Sequence, residues 1–124
     1  MGHCTLMGAE EVARRWVDAW TSGRTSVLFE LLAAGANVES NLDPDGDFVE
    51  VMGNYAAALE SIEVFSLTVI DDRVAIVYDC TARGETFRLA EFLIVGDDEL
   101  IHEVRRVYDL SAVERLLPGL LNPP

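Results

Sequence analysis

Residues 85–108 read ETFRLAEFLIVGDDELIHEVRRVY. Odd positions from 87 to 95 are Phe87, Leu89, Glu91, Leu93 and Val95, and even positions from 100 to 108 are Leu100, His102, Val104, Arg106 and Tyr108. Side chains alternate faces along a strand, so each set shares one face. The link between the runs, Gly96-Asp97-Asp98, is short, which makes the two strands antiparallel neighbours. Both apolar faces are interrupted by ionisable groups. A carboxylate between two leucines costs free energy unless something pairs with it, so Glu91 is either half of a structural ion pair or the working group of a pocket.

The same period of two extends backward to Ser61. Strands are expected at about 63–70, 74–83, 85–95 and 99–108, joined at Asp71-Asp72, Arg83-Gly84 and Gly96-Asp97-Asp98. Before Ser61 the period is helical. In residues 9–21, Val12, Trp16 and Trp20 recur at i, i+4 and i+8. Glu10 and Glu11 suit the positive helix start, and Gly23 suits its stop. A second helix is expected at about 26–34, ended by Gly35, followed by a short strand at 36–42. Asp43-Pro44-Asp45-Gly46 is a turn. Asp47 and Glu50 then form a capping-box-like pair opening a third helix at about 48–60, with Met52 and Tyr55 inward. Residues 111–117 form a terminal helical turn stopped by Pro118-Gly119. Helices first and a meander second make an α+β domain, spanning 9–117 between a flexible extension (1–8) and a tail (118–124); Met7-Gly8 offers an alternative start.

Composition narrows the function. At 124 residues the chain is one domain able to bury a core. A net charge of −13 argues against nucleic acid, whose phosphates need a basic surface, and against anionic membranes. Cys4 and Cys80 lack metal or redox spacing and read as free thiols of a reducing cytoplasm. Asp43, Asp45 and Asp47 do not make a calcium loop, since Gly46 is fourth and Asn54 twelfth where Gly at six and Glu at twelve are needed. Phe92, Ile94, Ile101 and Val107 lie opposite the Glu91 set. Helices can cover one sheet face; the outer face then calls for a partner, which points to a homodimer.

Two-residue turns at 97–98 and 83–84 would set Glu91 opposite Val104 and Ile76, with His102, Arg106 and Tyr78 diagonal and Cys80 nearby. A one-residue slip would break this cluster. Its functional reading is a general acid/base in an apolar pocket; its structural reading is a buried Glu91–Arg106 pair that orders the sheet. His102 also reads as an ordinary strand-end histidine, and Tyr78 and Cys80 as packing residues. Trp16, Trp20 and Tyr55 lie at core spacing and share their face with any cavity.

Three helices followed by a curved antiparallel meander with a polar residue inside resemble the NTF2-like (cystatin-like) cone. Within it, Trp16-Val17-Asp18-Ala19-Trp20 onward to Asn41, and Glu91-Phe92-Leu93-Ile94-Val95 onward to Tyr108-Asp109-Leu110, resemble the limonene-epoxide hydrolase and SnoaL-like branch. The resemblance covers about residues 9–117. It gives Asn41 the place of a water-positioning Asn and Glu39 that of a water-positioning Tyr. The branch's Arg-x-Asp falls near Tyr78 and Cys80, and its second catalytic Asp at Arg106, so that Asp-Arg-Asp set is not matched. The oxyanion-hole Asp of the ketosteroid isomerases, which share the fold, aligns with Glu91; their base falls near Ser40 and their Tyr at Trp16. The resemblance implies a cofactor-free, metal-free acid/base pocket for a small apolar organic ligand. Glu91, with Glu39 as the alternative, would move the proton; Arg106 and Tyr78 would stabilise negative charge; Asn41 would orient an oxygen; Trp16, Trp20, Tyr55, Cys80 and His102 would line the pocket. A non-catalytic binding or dimerisation module is the alternative, and it predicts a pocket plugged by the Glu91–Arg106 pair.

Overall fold

Helix α1 (Ala9–Thr21) turns one face wholly inward: Val12, Ala13, Trp16, Ala19 and Trp20 are at most 1% exposed. Trp16 and Trp20 anchor the core, each on the order of 3–5 kcal/mol against alanine. Glu10 sits at the helix start and pairs with Arg14 at 3.0 Å. The helix stops at Gly23, whose φ of +78° costs glycine little. The computed structural model describes residues 8–121; Cys4 and residues 1–7 of the expected extension lie outside the described residues.

Helix α2 (Thr25–Leu31) is shorter than its apolar run suggests, and strand β1 (Leu32–Ser40) begins where the helix was expected to continue. Leu32 and Ala33 are drawn into the sheet because β1 pairs with the last strand: Leu32 stands opposite Ile101, and Asn37 to Ser40 opposite Glu103 to Arg106, in parallel. Between them the chain bulges through Gly35, at φ +75°. Helix α3 (Phe48–Ala58) is capped as expected, the Asp47 carboxylate accepting from the Glu50 amide at 3.0 Å.

The meander is β2 (Ser61–Ile70), β3 (Arg73–Ala82), β4 (Glu85–Val95) and β5 (Ile101–Tyr108), and the sheet order is β1-β5-β4-β3-β2. Arg83 and Gly84 form the expected two-residue turn, both with positive φ (52° and 76°), as a primed hairpin turn requires. Their amides are held by the Glu60 carboxylate at 3.0 and 3.3 Å. Ala82 therefore faces Glu85, and Glu91 faces Ile76, as expected. The chain closes with α4 (Leu110–Leu116), capped by Asp109, and a short turn of helix α5 (Pro118–Leu121) that Pro118-Gly119 begins rather than prevents.

The link before β5 departs from the expectation. Gly96 donates to the Leu100 carbonyl at 2.8 Å, so the turn encloses Asp97, Asp98 and Glu99 rather than two aspartates. Val95 pairs with Ile101 but Ile94 with Glu103, leaving His102 as a bulge. The register moves by two residues. Glu91 stands directly opposite Arg106, and Leu93, not Glu91, faces Val104. The bulge also reverses facing at the strand start: Ile101, expected outside, is fully buried, and His102, expected inside, is exposed.

Candidate functional site

Strand alternation brings Glu91, Tyr78 and Arg106 to the inner sheet face, beneath the Trp20 and Tyr55 sides of α1 and α3. Tyr78 stands two residues along β3 from Ile76, the partner of Glu91, and its hydroxyl donates to Glu91 Oε1 at 2.5 Å. The Trp20 indole N–H donates to the same hydroxyl at 3.1 Å. On the other side, Arg106 Nη1 lies 3.0 Å from Glu91 Oε2, with both side chains at 0% exposure. The guanidinium lies over the Trp20 ring, 4.1 Å from its centroid, and 5.2 Å from that of Tyr108. Tyr108 packs edge-on against Tyr55 at 4.8 Å, and the Tyr55 hydroxyl donates to Cys80 Sγ at 3.3 Å.

Electrostatics follow from this enclosure. Burial first, then the Glu91 charge, pushes the Tyr78 pKa well above its ordinary value, so the hydroxyl keeps its proton and serves as donor. Burial raises Tyr55 as well, with Cys80 adding to it. Burial pushes the Cys80 thiol up. For Arg106, burial opposes the charge, but Tyr108, Glu91 and Tyr78 outweigh it and the pKa rises. The pair is incompletely satisfied: Nε, Nη1 and Nη2 of Arg106, Oε2 of Glu91, the Tyr108 hydroxyl and Trp16 Nε1 have no aligned hydrogen-bond partner among the described residues. The 3.0 Å contact of Arg106 with Glu91 is thus a charge contact without good hydrogen-bond alignment.

Other expected site residues are elsewhere. Glu39 projects from the outer face and pairs with Arg105 at 3.5 Å, half exposed, because alternation along β1 turns its neighbours Val38 and Ser40 toward the core and Glu39 away from it. His102 binds Asp98, Nε2 standing 3.0 Å from each carboxylate oxygen, and is 48% exposed. Asn41 spends its whole amide on the Tyr108 backbone, donating to the carbonyl at 2.9 Å and accepting from the N–H at 2.8 Å. It therefore fastens the end of β1 to β5. Tyr108 is the residue that the sequence reading left out of the site; its position two beyond Arg106, on the same strand face, was the available signal.

The larger surface cavities lie elsewhere. One of about 510 Å³ opens on the outer sheet face, lined by Ile70, Arg73, Phe92, Ile94, Arg105 and Val107 among others. Among the described residues no cluster of side chains suits a metal ion, and no helix is long and apolar enough to cross a membrane.

No family model and no curated protein matches this sequence. Solved structures do. A de novo designed NTF2-fold protein aligns at a TM-score of 0.64 and 16% identity, covering 95% of this chain and 98% of its own. The chain has an NTF2-like fold. Natural proteins with the NTF2-like architecture seen here include a steroid delta-isomerase from Pseudomonas aeruginosa (TM-score 0.72, 13% identity, 90% of this chain and 88% of that one). A protein described as a SnoaL-like polyketide cyclase from Jannaschia sp. CCS1 aligns at 0.64 with 14% identity, over 94% and 92% of the two chains. At these identities the likeness is one of fold, and the NTF2-like cone puts Glu91 on the concave sheet face under the helices.

Proposed function

We propose that this chain is a small-molecule pocket protein of the NTF2-like, SnoaL-like type, moving a proton on an apolar organic substrate by isomerisation, cyclisation, dehydration or epoxide opening. The observation that carries the proposal is a buried, incompletely satisfied ion pair. Glu91 and Arg106 are 0–1% exposed among aromatic walls, yet all three guanidinium nitrogens lack an aligned partner. An apolar pair of the same volume would fold as well or better, so a charge pair with spare donors at the centre of a hydrophobic face is a functional-site candidate. Glu91 would serve as acid/base, Tyr78 would hold it through the 2.5 Å hydrogen bond, and Arg106 would stabilise developing negative charge. Trp16, Trp20, Tyr55 and Cys80 would line the chamber. The fold of a steroid delta-isomerase and of a SnoaL-like protein supports this class. A second copy packed on the outer sheet face completes the reading.

A second reading, a non-catalytic binding or dimerisation module, is favoured by the closed interior. Both Glu91 oxygens face protein groups, and the side chain is wholly buried. Thermal shift against apolar epoxides, steroids and polyketide-like compounds, with wild type and Glu91→Gln, separates the two. A ligand that raises the wild-type Tm, with a response altered in Glu91→Gln, is the expected result. No response to any compound, together with a markedly less stable Glu91→Gln, leaves the module.

A further inference from the structure

Strand β1 ends the sheet and pairs with β5 alone. Its other edge is open, and two cavities of about 480 and 310 Å³ run along it. The first is lined by the consecutive residues Leu32 to Ala36, the second by Val38, Glu39 and Ser40. Successive side chains of a strand point to opposite faces, so a cavity bounded by successive residues lies beside the main chain and not over one face. Val38 and Phe48 border both cavities, which makes them one groove between the β1 edge and the start of α3.

The main chain along this groove has bonding capacity to offer. The step from Leu32 to Asn37 in β1 answers that from Ile101 to Glu103 in β5, so Ala33 to Ala36 bow out of the ladder. Among the described residues, no hydrogen bond outside that ladder uses the main chain of residues 33–39. Free N–H and C=O groups on a sheet edge are a template for a further strand. Gly35, at φ +75°, and the three alanines around it leave room for another backbone to come close. Phe29 on α2 borders the groove and is 61% exposed.

The rim selects the occupant. Glu39, Asp43 and Asp47 line the groove, Asp45 lies between the last two, and Glu50 is in the first turn of α3. No lining residue among those described is Lys or Arg. Glu39 has Arg105 at 3.5 Å, but Asp43, Asp45, Asp47 and Glu50 have no ion-pair partner among the described residues. The outer-face cavity differs, being lined by Arg73 and Arg105 together with Glu103. A second copy of this chain, at a net charge of −13, would be repelled by such a rim. The chain's own adjacent arginines, Arg14-Arg15 and Arg105-Arg106, sit inside α1 and β5.

We infer that the open edge of β1 docks an extended segment of a partner protein, one that adds as a strand and alternates apolar side chains with Lys or Arg. Main-chain hydrogen bonds to residues 33–40 would hold it, and its apolar side chains would enter the groove beside Phe29, Val38 and Phe48. The cationic side chains between them would meet the carboxylates of the rim. This surface does not involve the Glu91 chamber, so either can fail without the other.

The probes are three fluorescein-labelled nonapeptides with capped ends: alternating Lys-Val, alternating Lys-Ser and alternating Glu-Val. Each is titrated into the full chain and followed by anisotropy at about 0.15 M salt, where long-range attraction is screened. The unlabelled Lys-Val peptide is followed by ¹⁵N NMR. Lys-Val should bind roughly tenfold more tightly than either control, move the amide signals of residues 33–40 and slow their hydrogen exchange. Phe29→Ser should weaken Lys-Val binding roughly fivefold, and Asp43→Asn with Asp45→Asn should do the same. Phe29 is mostly exposed, and Asn tolerates the φ of +50° at position 43, so both variants should melt close to wild type. No binding of Lys-Val, equal binding of Lys-Val and Lys-Ser, tightest binding of Glu-Val, an unchanged affinity in either variant, or amide shifts confined to other strands would overturn the inference. So would concentration-dependent shifts of residues 33–40 without peptide, which would give the edge to a second copy.

Discussion

The Glu91–Arg106 pair costs this fold free energy that two apolar side chains of the same volume would not. Desolvating a carboxylate and a guanidinium is offset only by their mutual attraction and by good hydrogen bonds, and here Arg106 lacks the latter. The two ways of removing the pair should therefore differ in sign. Glu91→Gln keeps the shape and strands the Arg106 charge, and is expected to lower stability by about 3–5 kcal/mol in urea unfolding. Glu91→Leu combined with Arg106→Met removes both charges and is expected to match or exceed wild type, by up to about 1–4 kcal/mol. A double variant as unstable as the single one would mean that the pair is a net structural asset, and would weaken the case for function. The candidate site was legible at this scale as far as alternation goes: Glu91, Arg106 and Tyr78 share a face because strand geometry leaves no choice. Glu39 was carried there by resemblance alone, and its pairing with Arg105 on the outer face follows from the strand parity of β1.

At the scale of elements, two local devices hold the site strands in register. Asn41 ties β1 to β5 through two hydrogen bonds with Tyr108. Asn41→Ala leaves the Tyr108 amide and carbonyl without those partners, and is expected to cost about 1–3 kcal/mol, measured by thermal or urea unfolding; no change would mean that the tie is replaced by solvent without loss. The second device is the bulge at His102. Asp98 accepts from His102 and from the Leu100 amide at 3.1 Å, and the first of these above all holds its carboxyl below the ordinary range. A depressed carboxylate stabilises the fold above its unfolded pKa of about 3.9 and loses that contribution as pH falls through the lower folded value. The Asp98 carboxyl carbon should titrate by NMR below about 3.9 in wild type and move back up in His102→Ala. An unmoved midpoint would mean that His102 does not set it. The bulge was not legible because a three-residue turn compensated by a bulge and a two-residue turn leave the same hydrophobic alternation farther along the strand; only the pairing of Val95 with Ile101 distinguishes them.

At the scale of the molecule, the outer sheet face is where two copies with a net charge of −13 each can meet. Ile70, Phe92 and Val107 are 68%, 47% and 51% exposed there. Arg88 pairs with Asp79, and Arg105 with Glu39 and Glu103, so this face carries both signs while the rest of the chain carries the excess negative charge. Sedimentation should show a dimer that tightens as salt rises from low concentration, because screening reduces the long-range repulsion. Phe92→Arg should convert it to monomer with little change in Tm. A wild-type monomer at all salt concentrations would remove the second copy from the proposed function.

The sequence by itself determined the types of the longer elements, the hairpin at Arg83-Gly84, the inward faces of β3, of β4 and of β5 beyond the bulge, and the presence of an ionisable pair on an apolar face. These are properties of local periodicity and turn chemistry, which a chain carries before it folds. Tertiary structure alone decided that β1 lies parallel to β5, that Glu91 meets Arg106 directly rather than diagonally, that His102 leaves the site and that Tyr108 enters it. Those outcomes depend on which distant strands share an edge and where one extra residue is accommodated. Hydrogen bonding between segments far apart in the chain sets both, and no local pattern encodes them.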